Sequence, residues 1–135
     1  MKDLIEKYHS KCRKATKDKL YNKLLRCRSK WSKDNNSSKD DIEKLITLSL
    51  GSNCRYCGER IDVKNMGLDH KTPVNRGGSK SIDNLHIVCK RCNTRKGILT
   101  DSEYSDLRYF MREELPEEAR KYVYRKLSSR DMWGA

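Results

Sequence analysis

The sequence predicts an α+β fold in which a small centre with short strands lies between helical segments at both ends. The centre, from Cys54 to Gly97, is punctuated by glycines and carries two C-x-x-C pairs. At 135 residues and 35% hydrophobic content, the chain can bury one modest core, and small cores usually need a cross-link. We expect one compact domain made of a basic helical segment (residues 1–50), a cross-linked core (51–100) and C-terminal helices (101–135).

The N-terminal segment is expected to be helical and basic. From about residue 2 to 33 it has no Pro or Gly, and Leu20, Leu24 and Trp31 lie at helix-compatible spacing, which predicts one long helix or two abutting ones. The first forty residues hold 13 Lys or Arg against 5 Asp or Glu. This surplus of positive charge is compatible with a helix that binds a polyanion. It is equally compatible with a helix that packs on the core and has a charged outer face.

The remaining elements follow from local patterns. Ser38 with Asp41 three residues later resembles a helix N-cap with an acidic first turn, and this second helix should end near Gly51. Short strands are expected at residues 66–70 and 85–88, and helical spacing returns after Gly97 and again after Pro116. Core packing is the expected use of the C-terminal aromatic residues, with base stacking as the alternative: Tyr104, Tyr109, Phe110, Tyr122, Tyr124 and Trp133.

The charge balance points to a nucleic acid as the partner. Lys and Arg outnumber Asp and Glu by 31 to 19, a formal net charge of +12. A membrane surface is disfavoured because no long apolar run or strongly apolar amphipathic face is seen, and the N-terminus has no apolar signal-peptide region. We therefore expect a cytoplasmic protein, a setting in which clustered cysteines are more often metal ligands than disulfides.

The two C-x-x-C pairs predict a structural zinc site. Cys54 with Cys57 and Cys89 with Cys92 supply four thiolates, and the 31 residues between the pairs form a loop that the metal would close. A closed set of four thiolates leaves no position for water or substrate, so the zinc is expected to be structural. The alternative is a disulfide or redox pair, which needs a thioredoxin-like context that is not evident. Cys12 and Cys27 lack partners at ligand spacing and are interpreted as ordinary thiols.

Inside this loop the sequence becomes specific. The chain contains, in order, C-x-x-C, Asp69-His70, a proline, Gly77-Gly78, Asn84-Leu85 and C-x-x-C-N-x-x-K-G. This run resembles the zinc-containing HNH endonuclease family from about residue 48 to 100. The resemblance implies a ββα finger around one divalent ion, and proteins of this kind resemble those encoded by phages, mobile introns and restriction loci, which would place the chain in a bacterial or phage-infected cell.

The same resemblance implies roles for four residues. Asp69 and Asn93 would hold one Mg²⁺ or Mn²⁺, since carboxylate and amide oxygens suit a hard cation. His70 would be the general base that deprotonates water, and Asn84 would hold the His70 loop in position. Adjacent strand residues point to opposite faces, so Asp69 and His70 could converge only through local twist. Asp69, Asn84 and Asn93 also have plain structural interpretations as turn or cap residues. His86 is expected to have a surface or packing role, and His9 no catalytic part.

Basic residues around the proposed site would hold a phosphate backbone: Lys71, Arg76, Arg95 and Lys96. The predicted function is hydrolysis of phosphodiester bonds in DNA, with RNA as a further candidate substrate. Cutting both strands would require a homodimer or two successive visits, because one such site acts on one strand. The alternative is a zinc-containing module that binds nucleic acid without cutting it.

Overall fold

The computed structural model describes residues 1–129 and confirms the α+β class. Its helices are α1 (Lys2–His9), α2 (Lys14–Asp34), α3 (Lys39–Ser49), α4 (Lys90–Lys96), α5 (Asp101–Glu114) and α6 (Glu117–Leu127), and its strands are β1 (Met66–His70) and β2 (Leu85–Cys89). Single 3-10 turns occupy Val74–Arg76 and Ile82–Asn84. Trp133 lies outside the described residues.

The helix ends follow the capping signals in the sequence. Ser38 Oγ accepts a hydrogen bond from the Asp41 backbone N–H at 3.0 Å, which confirms the predicted N-cap of α3. Thr100 and Glu103 form a reciprocal capping box at the start of α5. The basic N-terminal segment forms two helices rather than one, with the break between His9 and Lys14.

The two strands pair antiparallel, and α4 follows β2 directly, so β1, β2 and α4 form a ββα unit. The register places Asp69 opposite His86 and His70 opposite Leu85. Because α4 begins at the residue after Cys89, the second cysteine pair spans the junction between strand and helix.

The N-terminal helices supply much of the core beneath the ββα unit. Leu24 of α2 and Ile42 and Ile46 of α3 are fully buried in one cluster with Val88 of β2 and Tyr104 of α5. Both interpretations of α2 are therefore compatible with the structure: its apolar face packs on the core, and its charged face lies outward. Among residues 1–129, every helix is too short or too polar to span a bilayer.

Candidate active site

The four cysteines of the C-x-x-C pairs converge at one point. Their sulfur atoms lie within 4.8 Å of one another, and Cys57 Sγ is 3.6 Å from Cys89 Sγ. Sulfurs around a tetrahedral zinc at about 2.3 Å would be about 3.8 Å apart, so the cluster has zinc-site dimensions. Three of the four cysteines are buried and none is in a disulfide. The predicted convergence of the four cysteines on one zinc-site-sized cluster is confirmed.

The environment of the cluster favours bound metal. Backbone N–H groups of Glu59, Cys89 and Cys92 donate to cysteine sulfurs at 3.4 to 3.5 Å. Hydrogen bonding from Cys92 and the backbone lowers the pKa of Cys54 to about 4, whereas burial raises the pKa of Cys89 to about 11. A divalent cation is the natural means of holding all four as thiolates.

Three of the predicted site residues meet at a cavity of about 320 Å³. Asp69 and His70 reach it from the end of β1, and Asn93 reaches it from α4. Lys96, one turn after Asn93, also lines it. Asp69 and His70 are adjacent on a strand, yet both contribute to one cavity, because the pair lies at the last two positions of β1, where the chain turns away.

Asp69 is 5% exposed and is surrounded by donors. Its Oδ1 lies 3.1 Å from Lys96 Nζ, and its Oδ2 lies 2.5 Å from His86 Nε2. The Tyr56 hydroxyl is 3.4 Å from the same Oδ2 and donates a shorter bond, 2.8 Å, to Asp101. Burial, followed by the charges of Asp69 and Asp101, raises the pKa of Tyr56, so this phenol stays a donor.

His70 is held by an element far away in the sequence. Its Nε2 is 2.7 Å from Oδ1 of Asn35, which follows the end of α2. Burial lowers the pKa of His70 below 6.5, and Lys96 and Lys80 add to this effect against the opposing charge of Asp69. A lowered pKa favours the neutral ring, which is the form that a general base needs.

Asn84 holds the loop that follows His70. Its Oδ1 accepts from the Thr72 N–H at 2.9 Å, and its Nδ2 donates to the carbonyls of Thr72 and Ser79 at 2.9 and 2.7 Å. Gly78 lies against the same segment, where a Cβ atom would be 1.8 Å from the Thr72 oxygen. The Asn84 side chain thus contacts the loop backbone and lies outside the cavity lining.

The oxygen donors at the cavity fit a hard divalent cation. Asn93 Nδ2 donates to the Leu68 carbonyl at 3.2 Å, which leaves Oδ1 as the amide's ligand atom. A carboxylate offers about four lone-pair positions, so Asp69 can accept from Lys96 and His86 and still coordinate an ion. Mg²⁺ is commonly bound by one or two protein oxygens, and water molecules complete its coordination shell.

The four basic residues proposed for phosphate contact differ in their surroundings. Lys96 is 1% exposed and donates to Asp69 and to the His70 carbonyl, so it belongs to the cavity wall and not to an open basic surface. Arg76 pairs with Glu103 through its two terminal guanidinium nitrogens. Arg95 donates to Ser128 Oγ and lies over the face of the Tyr124 ring. Lys71 is exposed and donates to the Asp83 carbonyl. Their phosphate contacts remain a prediction.

A second, larger cavity of about 540 Å³ lies between α5, α6 and the first cysteine pair. It is basic and aromatic, with one acidic residue in its lining; the cationic members are Arg55, Arg108, Arg112, Arg120 and Lys121. The expectation that the C-terminal aromatic residues pack in the core is wrong for three of them. Tyr104 is buried, but Tyr109, Phe110 and Tyr122 are 50 to 62% exposed, on the solvent-facing sides of α5 and α6.

Sequence reasoning missed the residues that hold the two central side chains. His86, interpreted as a surface or packing residue, contacts Asp69, and Asn35, interpreted as part of a polar break, contacts His70. The antiparallel register of the two strands places His86 opposite Asp69. The sequence did not predict this register, because the connection between the strands is too long to fix it. Asn35 carried no signal of its contact because it lies 35 positions before His70.

Comparison with known proteins agrees with this geometry. Residues 54–98 match the HNH endonuclease family. A stretch of 45 residues, 33% of the chain, is 42% identical to part of the CRISPR-associated endonuclease Cas9 of Corynebacterium diphtheriae. The matched stretch covers 4% of that relative, so the likeness concerns a third of this chain and a small part of the relative.

Proposed function

Because residues 54–98 match the HNH endonuclease family, we propose that this chain is a metal-dependent endonuclease that hydrolyses phosphodiester bonds in DNA. The observation that carries the proposal is the meeting of Asp69, His70 and Asn93 at one cavity. A carboxylate, an amide and a neutral imidazole in one place are what metal-assisted hydrolysis needs, whereas binding alone needs none of them.

In the proposed reaction, His70 accepts a proton from a water molecule whose oxygen attacks the phosphorus. The bond from phosphorus to the departing sugar oxygen breaks, and that oxygen takes up a proton from solvent. Asp69 and Asn93 would hold one Mg²⁺ or Mn²⁺, which would supply Lewis-acid stabilisation of the phosphate charge. Lys96 places an ammonium group beside Asp69, and Asn84 keeps the loop after His70 in place.

The charge of the chain supports DNA as substrate. With a net charge of +12, the protein attracts the phosphate backbone regardless of base sequence. The cavity on α5 and α6 adds guanidinium groups and the exposed ring of Tyr109. One such site cuts one strand, so cleavage of both strands would need a homodimer or a second visit.

A nucleic-acid-binding module without catalysis is the second candidate. The observation in its favour is that both Asp69 oxygens already have partners: the Lys96 ammonium neutralises the carboxylate, and His86 contacts the other oxygen, in place of a metal ion. In that case Asp69 would be a structural residue, and added Mg²⁺ would not bind at the cavity.

Cleavage of supercoiled plasmid separates the two candidates. We expect nicked or linear product in Mg²⁺ or Mn²⁺, none after selective removal of that ion with zinc retained, and a loss of about 10²–10⁴-fold in His70→Ala. His9→Gln is the matched control, because His9 lies away from the cavity. A zinc-loaded protein that shifts DNA in a gel but leaves it uncut in both metals would favour the binding module.

A further inference from the structure

Asn35 belongs to the N-terminal helices, outside the stretch that matches the HNH family, yet it contacts the proposed base. It is 3% exposed, and its Oδ1 lies 2.7 Å from His70 Nε2. We propose that Asn35 is a positioning residue that fixes the tautomer of His70, so that Nδ1 is the nitrogen that accepts the proton. This inference rests on the proposed function of His70.

The orientation of the Asn35 amide is determined by a second contact. Asn35 Nδ2 lies 2.9 Å from the Trp31 carbonyl oxygen. A carbonyl oxygen only accepts hydrogen bonds, so the atom facing it must be the NH₂ group. The atom facing His70 is therefore the amide oxygen, which is also only an acceptor.

It follows that His70 must be the donor in this pair. An imidazole ring nitrogen donates only if it carries hydrogen, so Nε2 is protonated. In a neutral ring the other nitrogen, Nδ1, then has the free lone pair. Since His70 lines the cavity with Asp69 and Asn93, Nδ1 is the ring atom available to take a proton there.

The turn that carries Asn35 is braced on several sides. Ser32 Oγ donates to the Ser37 carbonyl at 2.6 Å, and Ser37 Oγ donates to the Asn35 carbonyl at 3.0 Å. Asn36 adopts a positive φ of 47°, a conformation that asparagine tolerates better than most residues. The α2–α3 hairpin thus holds the amide in one place, and the N-terminal helices gain a role in the site beyond packing.

The test compares Asn35→Leu, which removes the acceptor at similar size, with Asn35→Asp, which keeps an acceptor oxygen and loses the bond to Trp31. Nitrogen-15 NMR of the zinc-loaded full chain reports directly which His70 nitrogen carries hydrogen, and only three histidines need assignment. We expect Nε2–H in wild type and Asn35→Asp, and a mixture of tautomers in Asn35→Leu. In plasmid cleavage, kcat of Asn35→Leu should fall about 10- to 100-fold while its KM for DNA stays within about twofold.

The two possible failures are distinguishable. Wild-type His70 with hydrogen on Nδ1 would overturn the inference without any variant, and so would an Asn35→Leu protein that folds and keeps wild-type tautomer and kcat. Loss of the proposed function would appear differently, as cleavage that survives in His70→Ala. The NMR measurement does not depend on cleavage, so it decides the tautomer in either case.

Discussion

Lys96 Nζ lies 3.1 Å from Asp69 Oδ1, and the lysine side chain is 1% exposed. A buried ammonium next to a buried carboxylate neutralises a charge that would otherwise be costly in the cavity wall. Lys96 also donates to the His70 carbonyl, so one side chain contacts both residues of the Asp-His pair.

Removing this ammonium should destabilise the protein and make it more responsive to metal. We expect Lys96→Met to lower the free energy of unfolding by about 3–5 kcal/mol in buffer without Mg²⁺, because Asp69 loses its buried partner. Added Mg²⁺ should then raise the Tm more in the variant than in wild type, since the ion replaces the missing positive charge. Thermal unfolding with and without Mg²⁺ measures both effects. Lys30→Met, at an exposed ion pair, is the control; equal Mg²⁺ responses would contradict the expectation.

His86 should tune the affinity of the cavity for its divalent ion. It contacts Asp69 Oδ2 at 2.5 Å, and partners of metal ligands typically contribute 10- to 100-fold in metal affinity, about the loss expected for His86→Phe. Phe retains a ring for the edge contact with Tyr56. The measurement is the Mn²⁺ concentration at half-maximal cleavage. His86→Gln, which keeps a polar partner for Asp69, should lose less Mn²⁺ affinity than His86→Phe. A wild-type Mn²⁺ requirement in both variants would show that His86 only packs.

The zinc cluster should be required for folding. Structural zinc contributes about 10–16 kcal/mol in small domains, comparable to or larger than the whole stability of a domain of this size. We expect one zinc per chain by elemental analysis, and Cys92→Ser should lose both the metal and cooperative unfolding. Cys12→Ser is the matched control because Cys12 lies outside the cluster. A metal-free chain with an unchanged Tm would mean that the cysteines act only as core residues.

Asn84 offers a graded test of the loop after His70. Asn84→Asp keeps the acceptor for the Thr72 N–H and loses the two bonds donated by Nδ2, whereas Asn84→Ala loses all three. We expect Ala to cost about 1–3 kcal/mol of stability and Asp less, with cleavage rates in the same order. Urea unfolding and plasmid cleavage provide the two measurements. An exposed change on α2, Asn22→Ala, should alter neither; wild-type cleavage by folded Asn84→Ala would remove Asn84 from the site.

Two basic surfaces are candidates for binding the proposed nucleic-acid substrate. The cavity on α5 and α6 contains Arg112 and Arg120, and the outer face of α2 contains Arg26 and Lys33. If the cavity on α5 and α6 binds the phosphate backbone of DNA, Arg112→Gln with Arg120→Gln should reduce the salt slope of DNA binding by about one for each phosphate that is no longer bound. The double change Arg26→Gln with Lys33→Gln should then have little effect. Fluorescence anisotropy in Ca²⁺ at several salt concentrations measures the salt slope of DNA binding for both double variants. A reduced slope in the Arg26/Lys33 variant alone would assign binding to α2.

Much of the fold could be predicted because its signals are local. Ser38 caps α3 as its spacing with Asp41 indicated, and the strands at 66–70 and 85–88 match the observed ones to within a residue. The C-terminal aromatic residues were misjudged, because helical spacing shows which residues share a face and not whether another element covers it. Tyr104 is buried in the core cluster, whereas Tyr109 and Phe110 are 62% and 50% exposed among the described residues.

The sequence by itself determined which residues carry the proposed chemistry: four cysteines at ligand spacing, and an aspartate, a histidine and an asparagine in a recognisable order between and beside them. These residues could be recognised from the sequence because the ligand pairs and the HNH motif residues occur at short, regular separations. The tertiary structure decided which groups surround them. Asn35 reaches His70 across the α2–α3 hairpin, and Lys96 and His86 reach Asp69 from α4 and β2. Contacts between distant segments depend on how helices and strands pack, and no local spacing records that packing.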